Sequence, residues 1–414
     1  MVSISSLTLY VLIFLSVYVQ VFFLITLLEN RKKIIIRKNQ IKLAKYPGVT
    51  IIVPCWNEEK TVYKTVRSLF NLNYPKNKLH IFLIDDGSTD NTYGVISSFA
   101  KFPNVRVFKK ENGGKHTALN LGLASVETEF LGCLDADSFA HPESLVRIMS
   151  YFENDPRAMA VVPSVNVFGA KNIIQKAQKA EYHMGVFMKK MLDFLGAINV
   201  TPGPLTIFRK KVFTDLGPYR HAHNTEDMEI AYRMQEHDYK IVHCNDAYVF
   251  TGSPGTIPKL YKQRLRWIYG FINNTLDYRH IWLKKKYGNF ALFTLPTGIV
   301  SILAVGYVFT KMVYEIGGFL YDKFIQIQTV GFDLNNSASS FDPFYIETNM
   351  SLFLVMIIYG SVMLAILIGG KMSEGKFKFS LDMIYFLVLF RLIAPFWIMK
   401  AVYKTVVGRA PDWR

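Results

Sequence analysis

The stretch FLGCLDADSF, residues 130–139, joins an apolar run to two carboxylates one residue apart. The run predicts a buried β-strand that brings Asp135 and Asp137 to its carboxyl end, the edge where open α/β sheets bind ligands. Because residues two apart in a strand point the same way, both carboxylates are expected to face one hard cation, Mg²⁺ or Mn²⁺. The alternative is a strand end with two solvated aspartates.

The residues around this stretch predict a parallel α/β sheet. From residue 47 to about residue 245, short β-rich runs alternate with amphipathic helical stretches, as in a sheet of that kind. Because the carboxyl ends of parallel strands meet at one edge, the side chains that follow them are candidates for a shared site. The predicted strands are residues 49–55, 79–85, 105–109 and 130–135.

The second predicted strand ends in DDGSTDNT, residues 85–92. Asp85 and Asp86 are therefore candidates for holding the ribose or base of a nucleotide. An ordinary helix N-cap at Ser88 or Asp90 is the alternative, and it is compatible with the first interpretation.

The segment ENGGKHTALN, residues 111–120, has the composition of a phosphate-binding turn. Two glycines allow close approach of the backbone, and Lys115 lies where a helix is predicted to begin, which suits a diphosphate. The spacing differs from that of a P-loop, so ATP or GTP hydrolysis is disfavoured. A glycine turn with a solvated lysine is the alternative.

Two later segments are predicted to adjoin the site. Residues 171–195 form a helix with interleaved basic and apolar residues, which predicts either a membrane-interface helix or a helix packed on the α/β domain. Residues 201–210, TPGPLTIFRK, predict a turn followed by a short strand, suitable for a loop beside a substrate.

The segment HAHNTED, residues 221–227, leads into an amphipathic helix. A carboxylate at this helix start, Asp227 or Glu226, is a candidate for accepting a proton from an attacking hydroxyl, and N-capping is the alternative. His221 and His223 are interpreted as loop residues, because no third His or Cys stands at metal-ligand spacing.

The segment YKQRLRWIYGF, residues 261–271, mixes basic, aromatic and apolar residues at helical spacing. Such a helix is commonly a membrane-interface helix. It also carries Arg266, suited to clamping phosphates, and Trp267, whose flat ring can stack on a sugar, with Gln263 close by.

The composition indicates a soluble domain attached to a membrane. The chain has 414 residues, half of them hydrophobic, and a formal net charge of +16. Its basic residues cluster beside apolar runs, as in RKKIIIRK at 31–38, which favours a membrane surface over nucleic acid. Three widely spaced cysteines indicate neither a zinc site nor a disulfide framework: Cys55, Cys133 and Cys244.

Four apolar runs are long enough to span a bilayer: 7–28, 290–309, 350–370 and 381–403. The first is interpreted as a retained anchor, and Arg391 within the last is expected to face a polar channel.

The resulting topology is strained. Residues 331–349 are expected to form an external loop, so four spans put the C-terminus outside, although its basic residues favour the cytoplasm. Either one C-terminal segment is interfacial or re-entrant, or residues 311–323 contain another membrane element.

The order of these motifs resembles that of the processive family-2 glycosyltransferases, which include cellulose, hyaluronan and poly-N-acetylglucosamine synthases. The resemblance covers nearly the whole chain, and Q-x-x-R-W is its most discriminating motif because it is similar to the mark of polymerising members. It implies an α/β GT-A (Rossmann-like) cytosolic domain inserted between transmembrane and interfacial α-helices.

The same resemblance implies roles for the residues quoted above. Asp85 and Asp86 match uridine-binding aspartates, and the D-x-D of Asp135 and Asp137 matches the motif that engages UDP and a divalent cation. Asp227 matches the general base of a T-E-D motif, in which Glu226 precedes it. Gln263, Arg266 and Trp267 match the motif at the acceptor end and the diphosphate, and Lys115 joins the expected donor site.

The implied activity is inverting, processive synthesis of a β-linked polysaccharide from a UDP-sugar with Mg²⁺ or Mn²⁺. The implied partners are the growing polysaccharide and the bilayer, with a small membrane accessory subunit left open and nucleic acid excluded. The implied location is the plasma (inner) membrane, with the catalytic domain cytosolic. The expected domains are an N-terminal transmembrane helix at 1–30, a basic linker at 31–46, the GT-A domain at 47–257, an interfacial region at 258–286 and a transmembrane region at 287–414.

The sequence departs from the family pattern in places. Ser138 stands where several relatives are expected to have His or Thr, and neither a strong gating-loop motif nor a C-terminal cyclic-di-GMP domain is found. The T-E-D motif is more similar to the cellulose and poly-N-acetylglucosamine branches than to the hyaluronan branch. The compact length and the short N-terminal anchor favour the poly-N-acetylglucosamine branch, with UDP-N-acetylglucosamine as donor. The alternatives are a hyaluronan or cellulose type of synthase, a non-processive transferase to a lipid carrier, and a transporter or structural membrane protein with an inactive domain.

Overall fold

A computed structural model of the protein describes residues 4–34, 41–331 and 350–411. Its centre is an eight-stranded mixed sheet in the order β3-β2-β1-β4-β7-β6-β8-β5. The strands are β1 Val49–Cys55, β2 Leu79–Asp86, β3 Val105–Lys110, β4 Phe130–Cys133, β5 Ser138–Ala140, β6 Ala158–Val167, β7 Ile207–Arg209 and β8 Lys240–Thr251.

The first half of the sheet is parallel, as predicted. Strands β3, β2, β1 and β4 pair parallel, with Val49 of β1 opposite both Leu79 and Phe130. All four predicted strands are therefore confirmed, but β4 ends at Cys133, two residues earlier than expected. In the second half β7 pairs antiparallel with β4 and β6, β5 pairs antiparallel with β8, and β6 and β8 pair parallel.

Helices cover both faces of the sheet. Alternation along β1 sends Ile51 and Val53 into one apolar core and Ile52 into the other. The helices are α1 Ile4–Asn30, α2 Val62–Phe70, α3 Thr92–Ser97, α4 Lys115–Ala124, α5 Ser144–Asn154, α6 Ile173–Phe194, α7 Lys211–Leu216, α8 Glu226–Glu236, α9 Ile257–Asp277, α10 Leu295–Val330, α11 Met350–Glu374 and α12 Leu381–Val407.

Helix α6 lies between the sheet and the apolar helices. It begins in a reciprocal capping box between Asn172 and Gln175. One side packs on β6 and β8 and another on α11 and α12. Packing on the α/β domain is thus confirmed, and the membrane-interface interpretation of residues 171–195 stays a prediction.

Four helical segments in the described chain are long and apolar enough to cross a membrane: Leu7–Lys33, Phe290–Thr329, Phe353–Glu374 and Leu381–Val407. The second is longer than predicted. Residues 311–323 do not contain a separate element, because α10 runs unbroken through Lys311 and Lys323 to Val330. The loop expected at 331–349 falls, beyond Gly331, outside the described residues.

The start of α3 also differs from expectation. The helix begins at Thr92 with Asn91 at the N-cap, so neither Ser88 nor Asp90 is the capping residue. Asp90 still supports the first turn, because its Oδ1 accepts a hydrogen bond of 2.9 Å from the Thr92 amide.

We predict that Gly369→Ala destabilises the protein by about 1–3 kcal/mol, because a methyl group there overpacks the crossing of α6 and α11. A Cβ at Gly369 would lie 1.8 Å from the His183 carbonyl oxygen, whereas a Cβ at Gly360 on the same helix meets nothing within 4 Å. Thermal unfolding of the detergent-solubilised full chain should show a lowered midpoint for Gly369→Ala only. Equal midpoints for Gly369→Ala and the control Gly360→Ala would contradict this account of the crossing.

Candidate functional site

The two carboxylates of D-x-D lie in a turn after β4 and not on the strand itself. The Ser138 amide donates a 2.9 Å hydrogen bond to the Asp135 carbonyl oxygen, which closes the turn before β5. The explanation from strand alternation was therefore wrong, although both carboxylates do stand at the predicted sheet edge. The turn fixes the relative position of Asp135 and Asp137, because both residues lie within the segment that this hydrogen bond closes.

Asp137 is strongly affected by its surroundings. Burial, the Asp135 carboxylate and Glu58 raise the pKa of Asp137 to about 6. Ser138 opposes this shift, because its buried hydroxyl lies 3.1 Å from Asp137 Oδ1 and also 2.9 Å from Thr251 Oγ1. The serine that departs from the family pattern thus contacts the D-x-D directly.

The D-x-D fits a divalent cation that takes its remaining ligands from phosphate. Crowding of Asp135 and Asp137 raises the pKa of Asp137, and a cation between them would relieve that repulsion. In the part of the chain that the structure describes, no group of three His, Cys, Asp or Glu side chains could hold a metal ion. Asp135 and Asp137 suit Mg²⁺ or Mn²⁺, because these cations commonly bind one or two carboxylates together with phosphate oxygens.

Lys115 joins the D-x-D turn to the start of α8. Its Nζ lies 2.8 Å from Asp135 Oδ1 and 3.1 Å from Glu226 Oε1. Burial lowers the pKa of Lys115, but Asp135 and Glu226 outweigh burial and hold it well above its ordinary value. The lysine is therefore a fixed positive charge at the first residue of α4, where phosphate binding was predicted.

Asp86 holds the glycine turn in front of Lys115. Its carboxylate accepts hydrogen bonds from Lys110 Nζ at 2.6 Å and from the amides of Gly113 and Gly114 at 3.1 and 3.0 Å. Gly114 adopts φ +88°, a conformation that favours glycine. The carboxylate of Asp86 is therefore engaged by the turn itself.

Asp85, the preceding residue, has a different environment. Its side chain is fully buried, and neither carboxylate oxygen has a hydrogen-bond partner among the described residues. Buried polar groups are normally paired, and unexplained exceptions indicate a missing donor. Asp85 thus has the free acceptor capacity expected of a residue that receives hydrogen bonds from a ligand.

Glu226 and Asp227 are the first two residues of α8. The N-cap is Thr225, so the N-capping interpretation of either carboxylate was wrong. Burial raises the pKa of Glu226, but Lys115 outweighs it and the net shift is downward. Burial and the charge of Glu226 raise the pKa of Asp227 to about 6, against the opposing charges of Lys115 and Arg266. Within this pair Asp227 is the carboxyl suited to exchange a proton near neutral pH.

The loop before β7 ties Asp227 to the D-x-D strand. The amide and hydroxyl of Thr201 donate to the Asp227 carbonyl oxygen at 3.0 and 2.8 Å. Cys133 Sγ donates to the Gly203 carbonyl oxygen at 3.0 Å. A Cβ at Gly203 would lie 2.6 Å from Asp135 Oδ1, so glycine allows this loop to approach the site closely.

Helix α9 presents the Q-x-x-R-W residues through a contact that the sequence did not reveal. Buried Arg264 pairs with Glu181 of α6, lies 4.1 Å over the Trp267 ring and donates to Gln263 Oε1 at 2.8 Å. Arg264 therefore orients two of the three predicted residues. The third, Arg266, donates to the Asn224 carbonyl oxygen at 3.0 Å, directly before the T-E-D segment.

One side of α6 adds two residues that sequence reasoning missed. Burial raises the pKa of Tyr182 to about 12, with Asp137 and Asp135 among the charges acting on it. Burial lowers the pKa of Lys189 to about 8, against the charge of Asp227. Tyr182 and Lys189 are seven residues apart, which places them on one helix face. This spacing is the only feature of the sequence that indicates their shared position.

Residues 50–217 match the family model described as glycosyl transferase family 2. The chain is 29% identical over 309 residues to a poly-β-1,6-N-acetyl-D-glucosamine synthase of Staphylococcus epidermidis, covering 73% of each protein. A synthase of the same name from Staphylococcus aureus is 29% identical over 272 residues, covering 65% of each.

Among solved structures, the chain is similar to a mannosyltransferase from Pyrobaculum calidifontis in complex with GDP-Man and Mn²⁺. The match has a TM-score of 0.55 and 16% identity, and it covers 86% of this chain and 99% of that one. At this identity the similarity concerns the fold.

We predict opposite effects on stability from two neighbouring substitutions. Asp85→Asn should raise the unfolding midpoint of the ligand-free full chain, because it neutralises a buried carboxylate that has no donor among the described residues. Asp86→Asn should lower the stability by about 1–3 kcal/mol, because three donors lose a charged acceptor. Thermal unfolding measures both, and midpoints that shift in the same direction would contradict the distinction.

Proposed function

We propose that the protein polymerises a β-linked N-acetylglucosamine polysaccharide from a UDP-sugar. Residues 50–217 match the glycosyl transferase family 2 model, and the chain is similar to poly-N-acetylglucosamine synthases, which supports this proposal. The observation that carries the proposal is the bridge of Lys115 between Asp135 and Glu226. The bridge joins the D-x-D turn to the start of α8, where Asp227 follows Glu226, and this supports one site for the donor and the base.

The donor site is assigned to residues at the carboxyl edge of the sheet. Asp85 offers buried acceptors to the nucleoside, and the Asp86-bound glycine turn places Lys115 beside the diphosphate. Asp135 and Asp137 would hold Mg²⁺ or Mn²⁺, which when bound neutralises charge on the leaving diphosphate. Arg266 adds a guanidinium whose positive charge acts to lower the pKa of Asp227.

The transfer step requires a base and an acceptor site. Asp227 takes the proton from an acceptor hydroxyl, whose oxygen forms a bond to the anomeric carbon as the bond to UDP breaks. A single displacement inverts the configuration and gives a β-linkage from an α-linked donor. Trp267 and Gln263, oriented by Arg264, would hold the terminal sugar of the acceptor, and Lys189 adds a positive charge near Asp227.

The apolar helices support a placement in the plasma (inner) membrane, with the domain cytosolic and the polymer translocated between helices. Arg391 was expected to face a polar channel. The residue is exposed and its guanidinium lies 5.3 Å from the centre of the Tyr359 ring, and the polar channel stays a prediction. A small accessory subunit remains part of the proposal for the assembled enzyme.

Purified full-length protein in nanodiscs, given a panel of UDP-sugars with Mg²⁺ or Mn²⁺, tests this function. We expect a polymer from UDP-N-acetylglucosamine that linkage-specific β-glycosidases degrade. A product with a single added sugar would favour the lipid-carrier transferase, and absence of transfer from every donor would favour the inactive-domain alternative.

Asp227→Asn should abolish polymer formation and leave UDP binding nearly intact, because the base is lost while the donor contacts remain. Product yield and UDP binding by calorimetry are the two measurements. Lys210→Gln is a matched control, since Lys210 Nζ donates to the Val126 carbonyl oxygen away from the cluster. Parental activity of Asp227→Asn would refute the assignment of the base.

The initial rate should fall as the pH drops through about 6, because burial and Glu226 raise the pKa of Asp227 to about 6 and only the carboxylate accepts a proton. The rate should be constant above that range until another group titrates. A pH–rate profile at saturating donor and cation measures this limb. A rate that is unchanged down to pH 4.5 would exclude Asp227 as the titrating base.

A further inference from the structure

Both ends of α12 lie against the catalytic domain, although the helix is long and apolar enough to span a bilayer. At its start, Met383 and Phe386 pack with Ala177 and Ala180 of α6. Near its end, Asn273 of α9 donates a 3.0 Å hydrogen bond to Thr405 Oγ1. A helix of 27 residues is about 40 Å long, so crossing a core of about 30 Å would carry one end away from the domain.

The two helices that α12 contacts are themselves fixed to the domain. In α6, the side chains of Gln175 and Gln178 donate to the carbonyl oxygens of Ser253 and Pro254, which follow β8. In α9, Asn274 Nδ2 donates at 2.8 Å to the hydroxyl of Thr225, the residue before the proposed catalytic carboxylates. Both ends of α12 are therefore held at the same side of any membrane.

The middle of α12 continues these contacts without a break. Trp397, Ile398 and Ala401 share one apolar cluster with Leu260, Leu265, Tyr269 and Ile272 of α9. Tyr261 of α9 also donates to the Phe396 carbonyl oxygen at 3.3 Å. The two helices thus lie side by side over several turns.

The opposite side of α12 is an exposed apolar stripe. Its members recur every three or four residues, from Leu381 (62% exposed) to Leu392 (64%) and Phe396 (53%): Leu381, Ile384, Val388, Leu392 and Phe396. Soluble proteins rarely expose a stripe of this size, and α1, α10 and α11 of the same chain are also membrane candidates. Lipid acyl chains are the matching partner for this surface.

Two of the other three candidates, α10 and α11, behave differently. Helix α10 is exposed on all sides from Met312 to Thr329 within the described chain, so only its start contacts the domain. In α11, Gly369 and Glu374 near the end contact α6. Each of these helices is therefore free to leave the domain and cross a bilayer.

We propose that α12 lies in the plane of the membrane surface, with its apolar stripe in the acyl region and the C-terminus on the side of the catalytic domain. The chain then has three spans, α1, α10 and α11. This rests on the membrane placement in the proposed function, and it resolves the conflict between four spans and a basic C-terminus. Lys400, Lys404 and Arg409 then face the anionic headgroups.

Arg391 fits the same placement. In a spanning α12 this exposed residue would lie near the bilayer centre, where a charged side chain is unfavourable. In an in-plane helix its guanidinium reaches the headgroups while its stem stays in the apolar layer. An in-plane α12 also packs along α9 and stabilises the helix that carries Gln263, Arg266 and Trp267.

Spin labels on the stripe test the orientation of α12. Ile384→Cys, Leu392→Cys and Phe396→Cys, each labelled in full-length protein in vesicles of phosphatidylcholine and phosphatidylglycerol, report depth through collisions with oxygen and a nickel chelate. We expect the three depths to agree within about 5 Å. A spanning helix would separate residues 384 and 396 by about 18 Å, and such a gradient would overturn the proposal.

Thiol labelling tests the side of the C-terminus. Val406→Cys should react with a membrane-impermeant maleimide only after cells are permeabilised, as should Lys285→Cys on the domain side of α10. Asp322→Cys, exposed near the far end of α10, is the outside control and should react in intact cells. Reaction of Val406→Cys in intact cells would overturn the proposal.

The three native cysteines are buried and contribute little background. Neither measurement requires sugar transfer, so failure of the proposed activity and failure of this topology give separate results.

Discussion

The contacts of Lys115 with Asp135 and Glu226 are the constraint on which the site depends. Several carboxylates converge at the sheet edge, and their repulsion is tolerable only with a positive charge among them. Lys115 holds the pKa of Glu226 below its ordinary value, whereas burial and a neighbouring carboxylate raise the pKa of Asp137 and of Asp227 to about 6. One cation thus divides the acidic residues into permanent charges and groups that exchange protons.

Neighbouring residues of one motif have separate tasks in this arrangement. Asp86 is engaged by the backbone of the glycine turn, whereas Asp85 keeps both oxygens unpaired within the described chain. Likewise Arg264 orients its neighbours on α9, and Arg266 reaches the segment before the proposed base. Within each motif one residue supports the local structure and its neighbour is proposed to contact ligand. Substitutions at the two positions are therefore expected to differ in their effects on stability and on activity.

The sequence was sufficient for the parallel strands, because β1, β2 and β4 are apolar runs bounded by polar segments. It placed the D-x-D at the right edge but for the wrong reason, since the closing hydrogen bond between Ser138 and Asp135 is a local detail that a period-two pattern cannot reveal. The pair of Arg264 with Glu181 and the approach of Lys189 to Asp227 join residues distant in the chain. Composition identified α12 as apolar, but only its tertiary contacts show that both ends return to the domain.

The crossing at Gly369 has a mechanical consequence. Because the backbones of α6 and α11 meet there without intervening side chains, α11 cannot change its tilt without moving α6. A helix adjusts its tilt when the hydrocarbon thickness changes. Since α6 also carries Tyr182 and Lys189 beside the cluster, the proposed membrane placement of α11 makes lipid chain length a variable for the proposed acceptor side of the site.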